Sequence, residues 1–222
     1  MIFPKTVHTG VISVWTVFFM FKMVKRLISL CLILGIVYCV SVVRDKKQLS
    51  DHVLRLHVVA ASDSEMDQAV KLQVRDAVLG RVEQAMAQAE DKEEAKACVQ
   101  EMLDQLEEVA NSVLEEQGVE DRATVTLARE AFPVREYDTF TLPSGVYDSL
   151  RVTIGEGQGK NWWCVVFPSL CIPAVSQDVE DVAAGAGFSD SLSGAITGQE
   201  QYELRFFLLD WLGKVENFFH QG

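Results

Sequence analysis

The stretch 27-LISLCLILGIVYCVSVV-43 runs for seventeen residues without a charge, with Lys22, Lys25 and Arg26 ahead of it and Arg44, Asp45, Lys46 and Lys47 behind it. A helix of a globular protein keeps a polar face for water, and this segment has none. It is long for the core of a signal peptide and short for a complete membrane span. Positive charge ahead of the run favours a cytoplasmic N-terminus and export of everything downstream, an asymmetry weakened by the basic cluster that follows. Residues 23–46 therefore read as a signal peptide or signal anchor that places the chain at a membrane. MVKRLISLCLILG, starting at Met23, is a usual signal layout, so residues 1–22, with the apolar run 11-VISVWTVFFMF-21, read as an over-extended start. Neither Cys31 nor Cys39 suits lipidation, because Leu30 and Tyr38 are too large for the position before such a cysteine.

Charge divides the chain at the same place. Residues 1–50 carry seven Lys/Arg against one acid, whereas residues 51–222 carry 13 basic against 31 acidic residues, a net of −18. Such a surface repels nucleic acid and anionic lipid, so neither is expected as a partner of the folded part. Export also changes how the cysteines read. Cys164 and Cys171, seven apart in 162-WWCVVFPSLC-171, are expected to bridge across the turn at Pro168 in an oxidising space. A loop that short gains on the order of 2–3 kcal/mol in the chain-entropy model. No zinc-like spacing supplies further ligands, since His8, His52, His57 and His220 are scattered, so no metal and no cofactor are expected.

The remainder predicts an α+β fold: one mostly antiparallel sheet packed with two consecutive helices. Leu54, Leu56 and Val58 alternate with Arg55 and His57, the pattern of a half-buried strand. A helix follows from Ser64, then a second over 91-DKEEAKACVQEMLDQLEEVANSVLEEQG-118, stopped by Gly118. Strands are expected at 123–128 and 147–154. The run 162-WWCVVF-167, apolar on both faces, reads as a central, doubly covered strand. These elements delimit a folded domain over 51–172. The Gly, Ser, Ala and Asp content of 173–199 suggests a flexible linker, and 200–220 an amphipathic helix.

The turn 60-AASDSEMDQAVKLQVRD-76 is where chemistry would be sought. Ser64 and Asp67 fit a helix cap, with the hydroxyl accepting an orphan amide and the carboxylate favoured by the helix N-terminus. Val70, Val74, Ala77 and Val78 form one apolar face, while Leu72 and Leu79 lie almost opposite, near Gln68, Arg75 and Asp76. Neither Arg75 nor Asp76 has an opposite charge three or four positions away. They are solvated, paired elsewhere in the fold (Arg75 with Asp63 or another acid), or paired with a partner. Asp63 with Asp67 would make a carboxylate pair, but an exposed cap offers no desolvation to split their pKa values. The glycines of 155-GEGQGKN-161 resemble a phosphate loop but lie between two strands, which suits a hairpin connection better. No nucleophile elbow, metalloprotease helix or dinucleotide fingerprint is present, and no catalytic residue is expected.

The runs 54-LRLHVVAASDSEMDQAVKLQVRDAVL-79 and 142-LPSGVYDSLRVTIGEGQGKNWWCVVFPSLC-171 together closely resemble stage II sporulation protein R of endospore-forming bacteria. The similarity runs from about Leu54 to Cys171. It departs from the family pattern at Ala61, where the family carries an asparagine, and in the extended N-terminus. The resemblance implies an exported signalling protein, made in the forespore and released into the space between forespore and mother-cell membranes. There it would trigger a membrane-embedded sporulation aspartic protease that cleaves the precursor of the mother-cell sigma factor sigma-E. On this reading the chain is an activating ligand rather than an enzyme. Its partner-facing residues are expected among Asp63, Gln68, Lys71, Arg75 and Asp76 of the first run and Trp162 and Trp163 of the second. A cell-envelope hydrolase acting at the spore septum is the alternative from another class, and a purely structural envelope protein a third.

Overall fold

The computed structural model describes residues 14–137, 140–168, 188–199 and 202–220. It divides into two units, residues 1–41 and 42–222. The first holds most of helix α1 (Val14–His52), whose large apolar side chains, from Phe18 and Phe19 to Val37 and Val40, are exposed. Among the described residues α1 is the one helix long and apolar enough to cross a membrane, compatible with a signal or an anchor. It runs through Met23 without a break.

The second unit is a mixed α+β domain. Strands β1 (Leu54–Val59), β2 (Ala123–Phe132), β5 (Gly145–Ile154) and β6 (Asn161–Phe167) form one sheet in the order β2-β5-β1-β6. β3 (Arg135–Glu136) and β4 (Thr141–Leu142) make a separate small ribbon. Two of the three interfaces in the larger sheet are antiparallel, and β1 runs parallel to β5 with Leu56 beside Leu150. A parallel pair needs a long crossover. Helices α2 (Glu65–Met86), α3 (Lys92–Glu101) and α4 (Leu103–Glu116), together with β2, supply it.

These helices cover one face of the sheet. Val70, Val74, Val78 and Val82, spaced four apart along α2, meet Leu54, Leu56 and Val58 of β1 and Leu106, Ala110 and Leu114 of α4 in a single core cluster. Full burial of each such side chain contributes about 1.5–3 kcal/mol. The helix expected over 91–118 is two, because Met102 leaves helical geometry (φ −112°) and starts α4 afresh. Gly118, at φ +68°, closes α4 as a C-terminal glycine does.

The opposite face is covered as well, which the alternation in β1 did not suggest. The last turns of α1 and two C-terminal helices, α5 (Asp190–Ile196) and α6 (Glu203–His220), bring Val42, Leu49, Leu192 and Leu209 against Val53, Phe132, Tyr147 and Val165. Every residue of β1 is therefore buried, Arg55 and His57 included. The compact unit begins at Val42 rather than at residue 51. Part of the expected linker is ordered: α5 lies within it, and Phe188 and Leu192 are core residues. β6 is an edge strand and not the expected central one; its middle residues are dry because helices close both faces of the sheet.

Candidate partner-binding surface

β1 ends at Val59, and residues 60–64 turn the chain into α2. Ser64 caps the helix, its Oγ accepting the Asp67 amide at 3.1 Å. Ser62 Oγ accepts the Ser64 amide at 3.1 Å and donates to the Asp67 carboxylate. The cap is thus a closed local network, and Ser64→Ala is expected to lower stability by about 1 kcal/mol, measurable by denaturant melts.

The connection from β5 to β6 lies directly on this turn. It is not a hairpin, because β1 sits between the two strands, and the chain must step over the end of β1, about 10 Å. That path carries 155-GEGQGKN-161 onto the residues that follow β1. The Gly159 amide donates to Ala60 O at 2.9 Å, and the Gln158 amide to Ala61 O at 3.2 Å. A Cβ on Gly159 would lie 2.2 Å from Ser62 O, so only glycine fits.

Three of the residues expected to face a partner are spent on this junction. Asp63 Oδ1 accepts the Lys160 amide at 2.7 Å. Gln68 Nε2 donates to Ser62 O at 2.8 Å. Lys71, buried, donates to Gln68 Oε1 at 2.6 Å and to Lys160 O at 2.9 Å. Burial, with help from Arg75 and Lys160, holds the Lys71 ammonium below the usual lysine range in spite of Asp63.

Arg75 and Asp76 are left at the surface beside this junction. They pair with each other, Arg75 Nε donating to Asp76 Oδ1 at 2.7 Å, rather than Arg75 with Asp63. The Arg75 guanidinium also lies 4.8 Å from the centre of the Trp162 ring. The Asp76 side chain is 64% exposed, and Leu72 is exposed at 40%. Fixed backbone, a planar cation on an aromatic ring, an exposed carboxylate and an exposed leucine make a surface suited to a protein partner.

Trp163 does not belong to it. Alternation along β6 sends Trp163 to the other face, where it stacks on His57 at 3.8 Å and lies 4.9 Å from Phe132. His57 has its ring nitrogens 3.3 Å from Glu130 Oε2 and 3.0 Å from Asn161 Oδ1. Burial opposes the Glu130 charge, but hydrogen bonds from His57 and Arg151 keep its carboxyl below the usual range. Deeper on this face, Arg55 has no exposed surface, donates to Tyr137 Oη at 2.9 Å and lies 4.0 Å from the Phe132 ring centre. Burial lowers its pKa against the help of Tyr137. Arg55 and His57 read in the sequence as the wet side of a strand, and nothing local signals that Phe132, Tyr137 and Trp163 close over them.

Cys31, Cys39 and Cys98 have free thiols. Cys164 is buried in β6, and its expected partner, Cys171, lies outside the described residues. Among the described residues no group of three His, Cys, Asp or Glu side chains is placed to hold a metal ion.

Both runs that form the surface lie inside a match, over residues 50–177, to the family model of stage II sporulation protein R. The chain belongs to the stage II sporulation protein R family. It is also 28% identical over 185 residues to stage II sporulation protein R of Bacillus subtilis (strain 168), covering 75% of this chain and 83% of that protein. No solved structure matches the chain. The family match takes in β1 to β6 with α2 to α4, so the junction of turn and glycine loop is family territory, whereas α1 up to residue 49 and both C-terminal helices lie outside the matched span.

Proposed function

We propose that this sporulation protein is an exported signal that activates a membrane-embedded aspartic protease and so triggers cleavage of the precursor of sigma-E. The observation that carries the reading is the convergence of the two family runs at the end of β1. Arg75, Asp76, Leu72 and Trp162 stand out there from a backbone locked by Asp63, Gln68, Lys71 and Gly159. A receptor that must distinguish one ligand gains from a preorganised patch, because less side-chain and loop entropy is lost on binding. The apolar run of α1 supports delivery to, or retention at, a membrane.

Co-expression of this chain with the protease and the sigma precursor, omitting each component in turn, tests the proposal. Processing is expected only when all three are present. Release of fragments from purified cell wall by this chain alone would instead favour the envelope hydrolase. Within the same reading Cys164 and Cys171 are bridged once exported, and mass spectrometry of a non-reduced digest is expected to find the crosslinked peptide pair. Two alkylatable thiols in protein recovered from the exported compartment would refute the bridge.

A further inference from the structure

Arg55 is among the largest side chains that the domain buries completely, and it carries a charge it cannot shed, because a guanidinium stays protonated in proteins. Its neighbours meet that charge only in part. Tyr137 Oη accepts from Nη2 at 2.9 Å, and the centres of the Phe132 and Tyr147 rings lie 4.0 and 5.1 Å from the guanidinium carbon. An aromatic ring attracts the charge but replaces an oxygen acceptor poorly. Among the described residues Arg55 Nε and Nη1, both buried, have no hydrogen-bond partner.

The buried lysines are better provided. Lys92 has Asp148, and Lys71 has two oxygen acceptors. The charge that acts on Arg55 is instead a second cation, Arg135. Its guanidinium lies 4.9 Å from the centre of the Trp163 ring, and its Nε is also buried without a partner. Residues 51–222 hold 31 acids, yet among the described residues none pairs with either arginine. Arg135 opens β3 and Tyr137 follows it, both half-buried. β3 pairs with β4 and not with the larger sheet, so on this side Arg55 is roofed by a separate two-stranded ribbon.

We infer that Arg55 and Arg135 form a binding site for a small carboxylate, reached beside Tyr137. Such a ligand supplies both missing elements together, a counter-charge where the dielectric is low and acceptor oxygens for the buried N–H groups. Arginine recognises carboxylate and phosphate alike. A confined, aromatic-lined place favours the smaller, singly charged carboxylate, which costs less to strip of water. The site is on the opposite face of the sheet from Arg75 and Trp162, so it does not rest on the reading of that surface.

The test follows the arginine Nε–H signals of the full chain in neutral detergent by proton–nitrogen NMR, while acetate replaces chloride at constant ionic strength and neutral pH. The Arg55 and Arg135 signals, identified by their loss in Arg55→Met and Arg135→Gln, are expected to move together and saturate. The melting temperature should rise by about 3–6 °C once acetate reaches ten times its dissociation constant. Arg55→Met keeps the length of the buried side chain without its charge and should lose the acetate response. If that variant does not fold, Arg135→Gln, at a half-buried position, serves in its place and should weaken acetate binding about tenfold or more. The unmodified chain decides in any case: no saturable shift there overturns the site, the N–H groups being met by water. An undiminished response in Arg55→Met, or a response to inorganic phosphate or to an aspartyl peptide amide with none to acetate, also overturns it.

Discussion

Replacing Arg75 by alanine is expected to cut processing of the sigma precursor by a factor of about thirty or more, while the melting temperature falls by only a few degrees. The two effects separate because the internal ties of Arg75 are weak. Its ion pair with Asp76 is a surface pair, worth about 0–1 kcal/mol. Its place over Trp162 adds roughly 0.5–1 kcal/mol, and in a domain of this size 1 kcal/mol moves the midpoint by about 2–4 °C. Truncating one member of a charge pair buried at an interface costs about 2–5 kcal/mol of binding, and 2 kcal/mol is already a factor of about thirty. Asp76→Ala should give a similar functional loss with a still smaller stability change, since the carboxylate is mostly in water. Arg75→Lys keeps the charge but loses the flat stack on Trp162, so an intermediate defect is expected. The measurement is precursor processing against melting temperature at equal exported amounts. Normal processing by folded Arg75→Ala and Asp76→Ala variants would move the receptor surface elsewhere on the domain.

Asp148→Ala should be the most damaging of the single changes considered for stability, by about 3–5 kcal/mol, because it strands a buried cation. Asp148 lies on the inner strand β5 and accepts from Lys92 at 2.6 Å and Lys96 at 2.8 Å. The Lys92 side chain is only 6% exposed and also donates to Ser50 O at 3.1 Å. Without Asp148 it keeps the neutral Ser50 carbonyl and, as a counter-charge, Glu93, 3.5 Å away and largely in water. The expected fall in melting temperature is roughly 10 °C. The double variant Lys92→Met, Asp148→Leu removes both charges and should recover most of the loss; a double variant as unstable as the single one would contradict the ion-pair account. The same pair sets an acid limit. Burial works against the Asp148 charge, but hydrogen bonds from Lys92 and Lys96 outweigh it and hold the carboxyl below its ordinary range. Asp210 and Glu216 on α6 are depressed in the same way, by Lys214 with Ser144 and by Lys46. A depressed carboxyl stabilises the fold above its unfolded pKa and loses that contribution as pH falls through the folded value. Thermal stability should therefore hold from neutrality to about pH 5 and decline below about pH 4.

The sequence by itself determined what depends on neighbours along the chain. The uncharged run of α1, the Ser64 cap, the four-residue spacing of valines on α2, the stop at Gly118 and the two family runs are all local patterns, legible because helix periodicity, capping and hydropathy act within a few residues. Tertiary structure alone decided which faces and ends meet. Arg55 and His57 alternate with leucines as a solvated strand face would, yet Phe132, Tyr137 and Trp163, from more than seventy residues away, close over them. The parallel placement of β1 beside β5 puts β6 on the edge and drives the glycine loop over the end of β1. That path turns Asp63, Gln68 and Lys71 into structural ties and leaves Arg75, Asp76 and Trp162 outside. Alternation along β6 parts Trp162 from Trp163, which sequence adjacency had joined. In each case the deciding energy is burial against an element distant in the chain, and no local pattern encodes what will cover it.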